Sequence, residues 1–173
     1  MKPAFFALLA ALAVAACSGG GSRQPATPIS VDVGRTAGLV SAYRAANGLG
    51  PVRVESRLND AAASHARLMG QRDKMSHSLG GSLPKRIGAV GYDWGAAAEN
   101  LGAGYANLDA AVAGWKRSAG HRRNLLNPNV TEIGVAAVAT PPGSKYRTYW
   151  ALILAAPRAQ PGAAGPFAML PGR

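Results

Sequence analysis

The stretch WKRSAGHRRNLLNPNVTEIGV, residues 115–135, leads from the end of a predicted helix into a predicted strand. It contains His121, one of three histidines in the chain, beside two arginines and close to several asparagines. Three interpretations of His121 are open: a catalytic base, a metal ligand, or a polar side chain that fastens a helix to a sheet. The residues on both sides of this stretch indicate the fold that presents it.

Hydrophobic spacing and helix-capping residues place the helices mainly in the first part of the chain. They predict helices over residues 33–46, 57–72, 83–90 and 108–118, with Ser56 and Asn107 as N-caps of the second and fourth. Strand-like runs follow at residues 132–140 and 146–156, and the Pro-Pro-Gly sequence between them predicts a hairpin. With a short strand near residues 99–103, this order predicts an α+β fold in which helices pack on a small, mostly antiparallel sheet.

The N-terminal sequence has the pattern of an export signal. In MKPAFFALLAALAVAAC, one lysine precedes an apolar run that is too short to be kept as a membrane span. Its end resembles a bacterial lipobox, so residues 1–16 are predicted as a signal peptide and Cys17 as an acylated lipoprotein cysteine. The alternative is a cleaved signal peptide with a chance cysteine. Ser18 after the cysteine favours the outer membrane if the host is Gram-negative.

Composition predicts the limits of the folded domain. Residues 17–30 are rich in Gly, Ser and Pro and predict a lipidated tether, residues 31–156 form the domain, and residues 157–173 predict a disordered tail. The chain has no cysteine besides Cys17, so disulfides and thiolate metal sites are not expected in the domain.

The chain is strongly basic, with 19 Lys and Arg against 8 Asp and Glu, which predicts anionic partners such as phospholipid or cell-wall polymers. The arginines are scattered, and no run is longer than Arg122-Arg123. We therefore expect no nucleic-acid partner. We also expect a monomer.

Three titratable residues outside the long helices are candidates for a shared site. His77, Glu99 and His121 could form a zinc-type ligand set that leaves one position open, although no local HExxH motif fixes the geometry. Alternatively, Glu99 and His121 hydrogen-bond each other and fasten the sheet to a helix. Ser118 could form a nucleophile pair with His121, but no oxyanion loop or strained elbow surrounds it.

The other histidine and a tryptophan are expected in the core. His65 shares a helical stripe with Leu58 and Met69, and Trp115 lies on the inward side of the fourth predicted helix.

Three polar residues near the quoted stretch have structural interpretations. Glu132 could reach the cleft, but an ion pair with an arginine such as Arg122 or Arg123 is favoured. Asn124 and Asn127 are expected to hydrogen-bond the backbone around the Asn-Pro-Asn turn.

Four segments together resemble the CAP superfamily, which includes cysteine-rich secretory proteins, antigen 5 and plant pathogenesis-related proteins. They are ARLMGQRDKMSHS, AENLGAGY, WKRSAGHRRNLLNPNVTEIGVA and YWALIL, and the likeness covers residues 33–155 in the bacterial, disulfide-free form. The resemblance implies an α-β-α sandwich, in which a small sheet lies between helical layers.

The resemblance also implies a surface cleft with two histidines and acidic residues, which binds a divalent metal such as zinc or magnesium in some members. The matching positions are His77, Glu99 and His121. Many members have a second glutamate where this chain has Ser118, which is a much poorer ligand.

Two functions from different classes fit this cleft. The first is a lipid-anchored module in the cell envelope that binds a small ligand or envelope component, with or without a divalent metal. The second is a metal-assisted hydrolase of peptides or esters, in which Glu99 is the general base. A scaffold that binds a partner protein would need none of the three residues.

Overall fold

The computed structural model describes residues 24–159. In chain order the elements are β1 (Thr27–Ile29), α1 (Val33–Ala45), β2 (Arg53–Val54), α2 (Ser56–Arg72), α3 (Leu83–Ala89), β3 (Trp94–Ala103), α4 (Leu108–Arg117), α5 (Ala119–Leu125), β4 (Glu132–Ala139) and β5 (Thr148–Pro157). The predicted signal peptide, Cys17 and the end of the predicted tail lie outside the described residues. Within residues 24–159, none of the helices combines the length and apolar character needed to cross a bilayer.

One five-stranded sheet forms the middle of the molecule. The strand order is β1-β4-β5-β3, and the neighbours on this path are antiparallel. The two-residue strand β2 pairs with β4 in the parallel sense. The strands β4 and β5 are buried along most of their length, which requires cover on both faces of the sheet.

Helices supply that cover as two layers. One core cluster joins α1, α4 and α5 to one face of the sheet, and the other joins α2 and α3 to the opposite face. Alternate residues of β5 serve the two clusters: Leu152 and Leu154 face the first, and Ile153 faces the second. The predicted α+β fold and α-β-α sandwich are confirmed.

Capping side chains explain where the helices begin. Asp32 Oδ1 accepts a hydrogen bond from the Arg35 amide at the start of α1, and Asn107 caps α4 as the sequence predicted. The prediction of Ser56 as the cap of α2 is wrong, because Ser56 is the first helical residue and the Glu55 side chain caps the helix.

Two strands differ from the sequence prediction. β3 has ten residues and begins at Trp94, well before the predicted strand at residues 99–103. Its first half is mostly Gly and Ala, which show no hydrophobic alternation, so only pairing with β5 reveals the strand. The predicted tether reaches too far, because Thr27–Ile29 pair with β4 as β1. Pro28 weakened the strand pattern there, although an edge strand tolerates proline.

The segment that contains His121 is also more regular than predicted. The sequence predicts no helix between α4 and β4, but Ala119–Leu125 form the seven-residue helix α5. Ser118 adopts an extended conformation between the two helices, with φ −76° and ψ 123°, and this separates α5 from α4.

A buried arginine fixes the loop after α5. Arg44 of α1 donates hydrogen bonds to the carbonyls of Leu125 at 2.9 Å, Asn127 at 2.8 Å and Val130 at 3.0 Å. It also donates to Gly50 O at 2.7 Å. These contacts hold the end of α5, the helix that carries His121, against α1.

Candidate functional site

Glu99 lies at the centre of a polar cluster on the edge strand of the sheet. Its neighbours Leu101 and Ala97 belong to the core beneath α2 and α3, so strand periodicity directs Glu99 to the same side. Its side chain is only 4% exposed. Because β3 is an edge strand, groups from both helical layers can approach each other around it.

Both carboxylate oxygens of Glu99 have basic partners. Oε1 lies 2.8 Å from Nδ1 of His77, and Oε2 accepts a hydrogen bond from Arg86 of α3. The ring of His65 is a third neighbour, with Nε2 at 3.8 Å from Oε2. A buried charge needs such partners, and the Arg86 guanidinium supplies the compensating positive charge.

Arg86 also fixes the loop that carries His77. One guanidinium nitrogen donates to the backbone carbonyl of His77 at 2.7 Å and to that of Gly81 at 2.6 Å. The Arg86 side chain is 8% exposed. A single buried arginine therefore holds both Glu99 and the backbone of the residue that Glu99 contacts.

His77 presents the exposed part of the cluster. Its side chain is 64% exposed, although its Nδ1 is held by Glu99. We assign the proton of the neutral ring to Nδ1, because an ionised carboxylate can only accept a hydrogen bond, and this assignment leaves Nε2 as the free acceptor. Glu99 thus orients the ring from its buried side, and the exposed side of the ring is available to a ligand.

His121 lies near His77 but is not bonded to Glu99. Burial lowers the pKa of His121, and the neighbouring His77 ring lowers this pKa further. Its Nδ1 is buried without a hydrogen-bond partner. The alternative in which Glu99 and His121 hydrogen-bond each other is not formed, because Glu99 faces α2 and α3, where it binds His77 and Arg86, whereas His121 belongs to α5.

Two asparagines, rather than Glu99 and His121, fasten the helix to the sheet. Asn124 Nδ2 donates to Glu99 O at 3.0 Å and to Asn100 Oδ1 at 2.9 Å. Asn100 Nδ2 donates to His121 O at 3.1 Å. These bonds fasten α5 to β3, so the prediction that Asn124 bonds the turn is wrong. Asn127 does so as predicted, accepting from the Asn129 amide at 2.9 Å.

The expected core positions are confirmed. Trp115 is fully buried and donates to Leu101 O at 3.0 Å. His65 is buried, and burial lowers its pKa although the nearby Glu99 carboxylate acts in the opposite direction.

The buried carboxylate of Glu132 forms an ion pair with the exposed Arg53, which is not the partner predicted. Its carboxylate accepts hydrogen bonds from Arg53 and from the Tyr92 hydroxyl, and not from Arg122 or Arg123. The parallel pairing of β2 with β4 sets Arg53 directly beside Glu132. Burial and the bond to Glu132 raise the pKa of Tyr92.

Ser118 takes no part in the cluster. It is the residue before α5, and its side chain makes no capping hydrogen bond. In the part of the chain that the structure describes, no hydroxyl or thiol side chain hydrogen-bonds a histidine ring. A serine–histidine nucleophile pair is therefore not formed here.

The residues of the cluster do not fit a divalent metal. Residues 24–159 contain no group of three His, Cys, Asp or Glu side chains placed to hold a metal ion. The Glu99 oxygens already bind His77 and Arg86, and the Arg86 charge would repel a cation. The predicted set of His77, Glu99 and His121 shares a neighbourhood without converging on one point.

Comparisons with known proteins agree with the fold. Residues 37–154 match the family model described as "CAP: Cysteine-rich secretory protein family". YkwD of Bacillus subtilis strain 168 is 32% identical over 102 residues, which cover 58% of this chain and 40% of YkwD. The membrane protein YlbC of the same organism is 33% identical over 99 residues, which cover 56% of this chain and 29% of YlbC. The aligned region is thus less than half of each relative.

Two solved structures share the architecture. An extracellular protein containing an SCP domain from Bacillus anthracis strain Ames superposes with a TM-score of 0.62 and 26% identity, over 70% of this chain and 39% of that one. An outer surface protein from Borrelia burgdorferi gives a TM-score of 0.65 at 19% identity, over 76% of this chain and 98% of that one. The second likeness is one of fold.

Proposed function

Because this chain belongs to the CAP, or cysteine-rich secretory protein, family, we propose that it is an exported protein that binds a small ligand or an envelope component at His77. The observation that carries this proposal is an exposed imidazole held by a buried carboxylate whose charge Arg86 balances. Such a ring keeps one orientation without a ligand, which reduces the entropy lost on binding.

The surroundings of His77 favour binding over covalent catalysis. The hydroxyls of Ser76 and Ser78 lie 3.2 Å apart and can hydrogen-bond each other, and neither bonds the imidazole. The free Nε2 of His77 can accept a hydrogen bond from a hydroxyl or amide of a ligand. The nearby His121 ring adds a second polar surface.

The charge of the molecule favours an anionic ligand. Arg122 and Arg123 lie on α5, the helix of His121, and line a broad surface groove of about 610 Å³. Neither arginine forms an ion pair with an acid in residues 24–159. We therefore place an anionic lipid or an anionic glycan first among envelope components.

The described relatives support export. One is called an extracellular protein, another an outer surface protein and a third a membrane protein. With the lipobox-like sequence, this supports a lipoprotein anchored through Cys17, at the outer membrane if the host is Gram-negative. Replacing Cys17 by Ser is expected to move the protein from the membrane fraction to the soluble fraction, and unchanged fractionation would exclude the anchor.

The binding proposal is tested with two probes: phosphatidylglycerol in micelles and soluble peptidoglycan fragments. We expect native mass spectrometry to detect a complex with one of them, and we expect His77→Ala to weaken it at least about tenfold. Met75→Ala is the matched control, since Met75 is an exposed neighbour outside the cluster. Absence of both complexes, or equal binding by His77→Ala, would contradict the proposal.

A hydrolase is the second candidate, and the contact between Glu99 and His77 is the observation that favours it. A carboxylate that orients an imidazole also allows Nε2 to remove a proton from water. Turnover of ester or peptide substrates that His77→Ala abolishes would establish this function. Because the cluster does not fit a metal, that turnover would be insensitive to chelators.

A further inference from the structure

Gln24, the first described residue, lies at the end of the molecule where the β4–β5 hairpin turns. Its backbone amide donates to Gln71 O at 3.2 Å and its side chain donates to Gly70 O at 2.9 Å. From there the chain enters β1, where Thr27 pairs with Ala139 just before the hairpin turn. The segments that meet here are called the hairpin end and comprise residues 24–26, 70–75 and 140–147.

Hydrogen bonds hold the hairpin against the end of α2. Asp73 accepts hydrogen bonds from the Lys145 amide at 2.7 Å and from the Tyr149 hydroxyl at 2.7 Å. The ring of Tyr146 packs edge-on against that of Tyr149, with centroids 5.8 Å apart. The exposed side chains of the hairpin end therefore form a surface of defined shape.

This surface is basic. Its four cationic side chains are all exposed: Arg72, Lys74, Lys145 and Arg147. The one acidic residue in the three segments is Asp73, so four positive charges against one negative charge leave a net charge of +3. Within residues 24–159, none of the four cations forms an ion pair with an acidic side chain. A patch of this kind attracts an anionic surface.

The anchor proposed at Cys17 would hold this same end at a membrane. Cys17 lies seven positions before Gln24, and seven extended residues span at most about 25 Å. The opposite end of the sheet is about 30 Å further away, because β3 has ten residues. A short tether from the bilayer therefore reaches the domain at its basic hairpin end.

We propose that the hairpin end docks on a bilayer of anionic phospholipids. Lys145 and Arg147 on the hairpin would face the lipid phosphates, with Arg72 and Lys74 beside them. A bilayer fits better than a soluble anion, because it presents many negative charges in one plane at the place where the tether ends. The proposal rests on the export and anchoring proposed above, and not on the site at His77.

Vesicle sedimentation tests the docking on the chain from Ser18 onward. This form lacks the proposed signal peptide and acylation site but keeps every residue of both core clusters. We expect it to sediment with vesicles of phosphatidylglycerol and phosphatidylcholine in equal parts, and to stay in solution with phosphatidylcholine alone. Binding should weaken as the salt concentration rises.

Matched variants separate docking through the hairpin end from general attraction to a basic protein. Lys145→Gln with Arg147→Gln is expected to weaken binding to anionic vesicles about 25-fold, because each cation near such a surface contributes about fivefold. Lys116→Gln with Arg117→Gln, at the C-terminal end of α4, removes the same charges and is expected to weaken binding less than about threefold. In each pair the lysine lies over a tyrosine ring, so the loss of that contact is matched as well.

Fluorescent labels show which end meets the bilayer. Pro142→Cys in the hairpin and Asp93→Cys at the opposite end of β3 each introduce the single cysteine of the shortened chain, at an exposed position. With an environment-sensitive fluorophore attached, we expect anionic vesicles to change the emission at position 142 and not at position 93.

Several results would overturn the proposal: equal binding to both kinds of vesicle, equal losses in the two double variants, or equal emission changes at the two labels. Binding of soluble peptidoglycan fragments in place of vesicles would assign the surface to a glycan and overturn it too. His77→Ala is expected to leave sedimentation unchanged, because sedimentation follows docking on a bilayer and not the complex sought at His77. The two proposals can therefore fail independently.

Discussion

Replacing Arg86 by Met removes the positive charge that compensates Glu99. The side chains of Arg86 and Glu99 are 8% and 4% exposed, so water cannot replace the lost partner without opening the structure. Removing one member of a buried ion pair costs about 3–5 kcal/mol. The variant also loses the hydrogen bonds that Arg86 donates to His77 O and Gly81 O, so we expect the upper part of that range.

Urea unfolding followed by tryptophan fluorescence measures this loss, because Trp115 and Trp150 are buried and report on both core and sheet. The double variant Arg86→Met with Glu99→Gln removes both charges. We expect it to be more stable than Arg86→Met alone, with a coupling energy of at least about 2 kcal/mol between the two positions. Additive effects, or a loss below about 1 kcal/mol in Arg86→Met, would refute the assignment of Arg86 as the partner of Glu99.

Three further predictions concern stability. Burial lowers the pKa values of His65 and His121, so the unfolded chain binds protons first as pH falls below about 6.5. We therefore expect the free energy of unfolding to decrease over that range. This decrease is expected to be smaller in His65→Leu. Gly134→Ala would place a methyl group 2.2 Å from the Leu58 carbonyl carbon, and we expect a loss of about 3 kcal/mol in urea unfolding. Arg44→Met leaves carbonyls in the loop after α5 without a donor, and we expect a loss of about 3–5 kcal/mol by the same measurement.

Each of these predictions has a control or a contrary outcome. Gly38→Ala adds a methyl group with no atom within 4 Å, so it should not destabilise the protein. Arg123→Met changes an exposed arginine and should leave the free energy of unfolding within about 0.5 kcal/mol. A pH-independent stability between about 6.5 and 5 would contradict the lowered histidine pKa values. The packing argument would be contradicted if Gly134→Ala and Gly38→Ala lost equal free energy of unfolding. The same holds for Arg44→Met and Arg123→Met.

The sheet and the long helices could be predicted because their signals are local. β4 and β5 are apolar runs separated by a Pro-Pro-Gly turn, and Gly143 there has a φ of 91° that favours glycine. The stripe that contains His65 identified the buried face of α2. By contrast, α5 has only seven residues, which is too short to show helical periodicity clearly.

The neighbours of the candidate residues could not be predicted in the same way. Arg86 lies 13 residues before Glu99 and on a different element, so no spacing rule connects them. The Asn100 and Asn124 side chains meet only because α5 packs on the edge strand β3. The resemblance to a family placed His77 and Glu99 in one predicted site. The arginine that balances the charge of Glu99 is revealed only by the packing of α3 on β3.

The tautomer of His77 tests the central claim most directly, because the neutral ring should carry its proton on Nδ1 toward Glu99. Long-range proton–nitrogen NMR on the neutral ring reports which ring nitrogen is protonated. We expect a single Nδ1–H tautomer, with Nε2 free to accept from a ligand. A ring protonated on Nε2, or an equal mixture of the two tautomers, would show that Glu99 does not hold His77 and would contradict the proposed binding site.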